Sequence, residues 1–187
     1  MIGTVFKRIG RDRRGVSAVE FALIAPLMLT CYLGASLLCS ALVAERKASH
    51  VASAMGDLAA QMVTIAPSDQ NDICSAAFVI MSPYDTTVNS LKMRISSIKE
   101  DSAGRVTVDW SHPCQGMTQL ASGSGYSGPA TTLLSPNQSI IISEITYTYA
   151  SPLQNLNISW LPGSRTFSDA FYLQPRQSAS VNCPTCS

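Results

Sequence analysis

The feature that most constrains this sequence is a run of 24 consecutive residues, 21–44, without a charged side chain. At about 1.5 Å per residue, a helix over this run crosses the roughly 30 Å hydrocarbon core of a bilayer. A cleaved secretory signal is the alternative, because residues 42–44 form a weak small-residue cleavage site. Signal cores usually contain about 7–15 apolar residues, so the length favours a transmembrane helix, which we predict over 16–44.

Charged residues on the two sides of this run predict its orientation. Of the chain's 13 basic and 12 acidic residues, five basic and one acidic lie within residues 1–15, which leaves eight basic and eleven acidic after them. Lys and Arg accumulate on the cytoplasmic side of membrane helices. We therefore expect a single-pass protein with a basic cytoplasmic leader at 1–15 and later residues outside the cytoplasm. The net charge of +1 argues against a nucleic-acid partner.

Glu20 lies at the entrance to the apolar run, where a carboxylate costs a few kcal/mol unless it finds a partner or becomes protonated. If the chain is cut after Gly15, the new amine of Val16 lies one helical turn from Glu20 and can form an ion pair with it. The alternative is that Glu20 extends to the lipid headgroups. On physical grounds the two interpretations have similar weight.

The order of these residues resembles a type IV prepilin: basic residues, Gly15, Glu20, then Phe21 and an apolar helix. The longer string RRGVSAVEFALIAPLML at 13–29 resembles the opening of the TadE-like proteins, which are minor pilins or pseudopilins of the tight-adherence (Tad/Flp) pilus. A second patch, at 143–156 and 171–176, resembles the other end of that family. Family members often finish this patch with Arg-Pro-Arg, whereas this chain has Gln174-Pro175-Arg176. For residues 66–139 we identify no resemblance to a family.

The resemblance implies a pilin-like α+β fold, with a long N-terminal transmembrane helix packed on a small antiparallel sheet. It implies a minor pilin in the inner membrane, with a periplasmic or extracellular domain, that takes part in pilus assembly and cell adhesion by priming or capping. A prepilin peptidase would cleave between Gly15 and Val16. Glu20 and Phe21 would then serve assembly with other pilin subunits and the pilus assembly machinery. The protein would be a substrate of the peptidase, not an enzyme, and would take no small-molecule substrate.

The helix is expected to continue beyond the membrane. Residues 45–66 form its predicted extension, from an overall start near Ser17 to an end near Ile65, and Pro67 is the predicted stop. The apolar positions that recur at helical spacing are Val51, Met55, Leu58, Met62 and Ile65. His50 falls on the polar side of this stripe. The exterior domain then occupies 67–187.

Alternating apolar residues in the exterior domain predict strands. Residues 91–98 and 105–110 form a hairpin candidate around a turn at 100–104. The strongest strand is 140–149, where Ser143, Ile145, Tyr147 and Tyr149 share one face, and a last strand lies near 167–173. Residues 71–81 fit a helix or a strand. Because no crossover helix separates the later strands, we expect an antiparallel sheet.

Six cysteines divide by location. Cys31 and Cys39 lie in the apolar run, where thiols behave as small hydrophobic groups. Four cysteines fall in the exterior domain, where an oxidising compartment allows three pairings. We favour Cys74–Cys114 and Cys183–Cys186. Closing the longer loop would stabilise the fold by roughly 3–4 kcal/mol in the chain-entropy model.

The exterior cysteines also raise two chemical alternatives. Cys183 and Cys186 form a Cys-x-x-Cys motif, but a working redox motif needs a helix N-terminus or a cation beside it, and neither is predicted nearby. His112 and Cys114 could join this pair as zinc ligands, but the spacing matches no standard finger, so we predict no metal and no cofactor. Two rival functions stay open. One is a permanently membrane-anchored TadG-like or other envelope protein whose exterior domain binds a partner. The other is an anchored redox protein that uses Cys183 and Cys186.

Overall fold

The computed structural model describes residues 15–152 and 163–186 of the chain. In these residues, helix α1 (Val16–Ala60) is followed by helix α2 (Pro67–Met81) and by four strands. The strands are β1 (Leu91–Glu100), β2 (Val106–Gln115), β3 (Ser139–Ala150) and β4 (Ser164–Leu173), with a short 3-10 helix (Pro129–Leu133) between β2 and β3. The predicted leader lies outside the described residues except for Gly15.

Helix α1 ends at Ala60 and not near Ile65 as predicted. Tertiary pairing overrides the apolar periodicity here, because Thr64 forms a parallel bridge with Asn182 and the segment is drawn out of the helix. Ile65 is nevertheless buried, so its apolar character was correctly interpreted while its local structure was not.

Pro67 begins a helix and does not merely end one. Proline is well tolerated in the first turn, where its missing N–H would have no partner inside the helix. The Asp69 carboxylate accepts a hydrogen bond of 2.8 Å from the backbone N–H of Ala66, which further satisfies this end of α2. The ambiguous segment 71–81 is therefore helical.

The four strands form one sheet in the order β2-β1-β3-β4, and all neighbouring strands are antiparallel. The predicted hairpin is the β1–β2 pair, and the predicted later strands are β3 and β4. The four residues predicted to share one face of β3 are all buried. The α+β class, with a long N-terminal apolar helix and an antiparallel sheet, is thus confirmed.

The described residues contain two hydrophobic clusters. The larger one joins the later part of α1, helix α2 and one face of the sheet, and the smaller one lies under the 3-10 helix. Small residues recur at every fourth position on the buried side of α1: Ala44, Ala48, Ala52, Gly56 and Ala60. Because contacts divide the chain into two units between Ser40 and Ala41, this small-residue face belongs entirely to the second unit.

Candidate functional site

The first part of α1 presents large apolar side chains on every side. Phe21 and Leu23 are 73% and 74% exposed. The other exposed large residues between them and Ala41 are Ile24, Leu27, Met28, Leu29, Tyr32, Leu33 and Leu38. A helix that is apolar all round is stable in a lipid bilayer or among other helices, but not in water. Among the described residues, α1 is the one helix long and apolar enough to cross a membrane.

Glu20 is the sole charged residue between Val16 and Ala44. Its side chain is exposed, and no ion pair or hydrogen bond joins it to another described residue. Val16 opens α1 and Glu20 lies one turn later on the same helix. The arrangement therefore offers one carboxylate, without a partner among the described residues, beside the position where a cut would create an amine.

Gly15 directly precedes α1, and the fold itself does not require glycine there. A Cβ added at Gly15 would meet no atom within 4 Å, and the same is true at Gly34 in the apolar part of the helix. If glycine is required at position 15, the requirement therefore comes from a protein that binds this segment and not from the fold.

Arg176, the last residue of the second resembling patch, lies at the end of α1. Its backbone N–H donates to the Ala60 carbonyl at 2.9 Å. Its guanidinium group forms an ion pair with Asp57. The patch therefore satisfies the terminal carbonyl of the long helix, which the sequence pattern alone did not indicate.

The structure contains both disulfides that the sequence analysis favoured. Cys74 and Cys114 connect α2 to β2 with a Cα–Cα distance of 5.5 Å. Cys183 and Cys186 are joined to each other with a Cα–Cα distance of 5.3 Å. Cys31 and Cys39 are free and exposed on the apolar part of α1.

The described residues contain one candidate metal group, although no metal site was predicted, and it differs from the zinc combination that was weighed and set aside. Ligand atoms of Cys74, His112 and Cys114 lie within 4.8 Å of one another, whereas Cys183 and Cys186 are not part of this group. The two sulfurs of this group are bonded to each other, so neither is available as a thiolate ligand. Burial lowers the pKa of His112 below its ordinary value of 6.5, so its imidazole is neutral near pH 7.

Gln70 contacts the Cys-x-x-Cys bridge, and no pattern in the sequence indicated this contact. This residue lies in the first turn of α2, and its amide donates to Cys183 Sγ at 3.1 Å and to Cys186 Sγ at 3.3 Å. No helix is predicted next to the motif along the chain, yet the fold brings one to it. More than a hundred residues separate the two sites in sequence, so no local pattern could have revealed the contact.

Residues 15–55 match the family of TadE-like proteins. The match starts at Gly15, includes Glu20 and Phe21, and ends within the buried part of α1. A TadE-like family match associates the chain with the Tad pilus and its machinery in general. Comparisons with curated proteins and with solved structures found no match.

The family match does not reach the second resembling patch. Residues 143–156 and 171–176 lie beyond residue 55, and part of the patch, 153–156, lies outside the described residues. Its resemblance to TadE-like proteins stays a prediction. Its described parts form β3 and the end of β4.

Proposed function

We propose that this chain is a minor pilin, or pseudopilin, of the Tad/Flp pilus, inserted in the inner membrane by the apolar part of α1. The exterior domain lies in the periplasm or the extracellular space. The observation that carries the proposal is a TadE-like match that begins at Gly15 and extends along α1 to residue 55. The first part of this helix has exposed apolar side chains and one carboxylate, Glu20. The subunit primes or caps a pilus and does not form its bulk.

Processing by a prepilin peptidase would convert this helix into an assembly element. Cleavage between Gly15 and Val16 creates an amine one turn from Glu20, and each charge is costly alone near the hydrocarbon. In a lone subunit the two charges pair within one helix. In an assembly, Glu20 meets the amine of a neighbouring pilin subunit, which rewards correct register. In this proposal the protein is a substrate of the peptidase and not an enzyme.

Determination of the mature N-terminus tests the proposal. Mass spectrometry of the protein from membranes should show a form that begins at Val16. The variant Gly15→Leu should stay full length, because a side chain before the bond crowds the peptidase site. Gly34→Leu is the matched control, since both glycines have open space around them, and it should be cut normally.

Two results would count against this function. Normal maturation of Gly15→Leu would contradict processing by a prepilin peptidase. An uncut wild-type protein in a cell with an active peptidase would favour the rival function, a permanently anchored TadG-like envelope protein.

A further inference from the structure

The residues after β4 form a strap, 176–186, that crosses from the end of α1 towards β2. At one end the Arg176 N–H donates to the Ala60 carbonyl. In the middle, Asn182 pairs with the connection between the two helices. Its N–H donates to Val63 O at 3.0 Å and its carbonyl accepts from the Ile65 N–H at 2.8 Å. This C-terminal strap therefore holds the short connection in place.

The far end of the C-terminal strap is fixed to β2, which is an edge strand of the sheet. The Cys186 carbonyl accepts hydrogen bonds from the Ser111 N–H at 3.4 Å and from the Gln119 side-chain amide at 2.6 Å. The Trp110 indole N–H donates to Val181 O at 2.6 Å, and Val181 is fully buried. The strap thus covers part of the outer edge of β2 and carries core residues.

The Cys183–Cys186 bridge lies within the C-terminal strap and is buried. Cys183 is 7% exposed and Cys186 only 1%. Gln70, itself 8% exposed, reaches both sulfurs and also donates to Thr185 Oγ1 at 2.7 Å. A buried side-chain amide without partners is costly, and the three atoms to which this amide donates all belong to the strap. Helix α2 and the closed bridge therefore stabilise each other.

We propose that the Cys183–Cys186 disulfide is a redox-sensitive latch for the C-terminal strap. When closed, it keeps Cys186 against β2 and Asn182 against the connection between α1 and α2. When a dithiol reductant opens it, the strap separates from both. The oxidation state of two cysteines then decides whether the end of the long helix stays attached to the sheet through the strap.

The opening reaction is a thiol–disulfide exchange. A thiolate of the dithiol attacks Sγ of Cys183, the less buried residue of the pair, and forms a mixed disulfide while Cys186 leaves as a thiolate. The Gln70 amide donates to this sulfur and stabilises the leaving thiolate. The second thiol of the reductant loses its proton and then attacks the sulfur atom of the mixed disulfide that belongs to the reductant. Cys183 leaves as a thiolate, both thiolates take up protons, and the reductant ends as a cyclic disulfide.

Hydrogen exchange on the full chain in detergent micelles tests the latch. The variant Cys183→Ser/Cys186→Ser removes it, and Cys74→Ser/Cys114→Ser is the matched control that removes the other bridge. We expect the amides of Ile65, Asn182 and Ser111 to exchange about tenfold faster in the first variant than in wild type, because two or three hydrogen bonds loosen together. The control should leave those three amides near wild-type rates, and amides in the β1–β3 pair should not change in the first variant.

A second measurement opens the latch after folding is complete. Dithiothreitol added to the Cys74→Ser/Cys114→Ser variant can reduce only the remaining exterior bridge, and the exchange rates of Ile65 and Asn182 should then rise. If reduction, shown by mass spectrometry, leaves these amides as protected as before, the latch does not exist. A uniform rise across the sheet would also overturn the proposal, because it would show global unfolding and not local release.

Discussion

Gly56 of α1 lies so close to Leu173 of β4 that a Cβ built on Gly56 would be 2.5 Å from Leu173 Cδ1. The same Cβ would be 3.2 Å from Ser143 Cβ on β3. The backbone of the long helix thus rests almost directly on the sheet. This close approach depends on the small-residue face of α1.

The close packing predicts a graded response to side chains at Gly56. Gly56→Leu should lower the free energy of unfolding of the exterior domain by about 1–3 kcal/mol or more, because its side chain has no space against Leu173 and Ser143. Gly56→Ala should cost less, since its strain is offset by a helix-propensity gain of about 1 kcal/mol. Denaturant unfolding of the full chain in micelles measures both. Equal stability of Gly56→Leu and wild type would disprove the close approach.

Removal of the charge at Glu20 should separate processing from assembly. Glu20→Gln keeps the size of the side chain, and Glu20→Ala also removes its hydrogen-bonding group. Both variants should insert and be cut after Gly15, yet recover fewer pilin partners from crosslinked membranes than wild type does. The comparison is made by co-purification at equal amounts of mature subunit. Wild-type recovery by both variants would mean that Glu20 only extends to the lipid headgroups.

The six cysteines should differ in their reaction with an alkylating reagent. In native protein, the four exterior cysteines should resist alkylation until a reductant is added, because they form two disulfides. Cys31 and Cys39 are reduced, but lipid should shield them until detergent is added. Mass spectrometry before and after reduction gives the number of alkylated cysteines. Free reaction of all four exterior thiols in native protein would mean that the topology or the bridges are wrong.

His112 should make the exterior domain less stable in mild acid. Burial lowers its pKa in the folded state below the ordinary 6.5, so the unfolded chain binds a proton there more readily. The stability contributed by the neutral imidazole is fully present above pH 6.5 and is lost as the pH falls through the lower folded pKa. Denaturant unfolding at several pH values between about 7.5 and 5.5 should show this decrease.

His112→Gln is the variant that isolates this effect. It should flatten the decrease in stability, whereas His50→Gln should not, because His50 is exposed on α1. An identical pH dependence in wild type and His112→Gln would show that another group is responsible.

The sequence by itself determined those features that depend on neighbouring residues. The uncharged run at 21–44 is long enough for a membrane helix whatever the rest of the chain does. The turn at 100–104 between two alternating segments is sufficient for the β1–β2 hairpin, and strict alternation identified the buried face of β3. The spacing of Gly15, Val16 and Glu20 lies within two helical turns, so the sequence was sufficient to propose them as a processing and assembly site, and that role stays a prediction.

Tertiary structure alone decided the features that depend on distant partners. Helix α1 ends at Ala60 because Arg176 binds the Ala60 carbonyl and Asn182 binds Val63 and Ile65 in the segment that follows, and no local signal marks that end. The approach of α1 to the sheet occurs at Gly56, a residue that hydrophobic periodicity ranks below Val51 and Met55. Gln70 reaches the Cys183–Cys186 bridge only because folding brings α2 to the strap. The physical reason is the same in each case: periodicity reports which side of a segment is apolar, whereas ends, close approaches and side-chain partners depend on atoms that meet only when the chain folds.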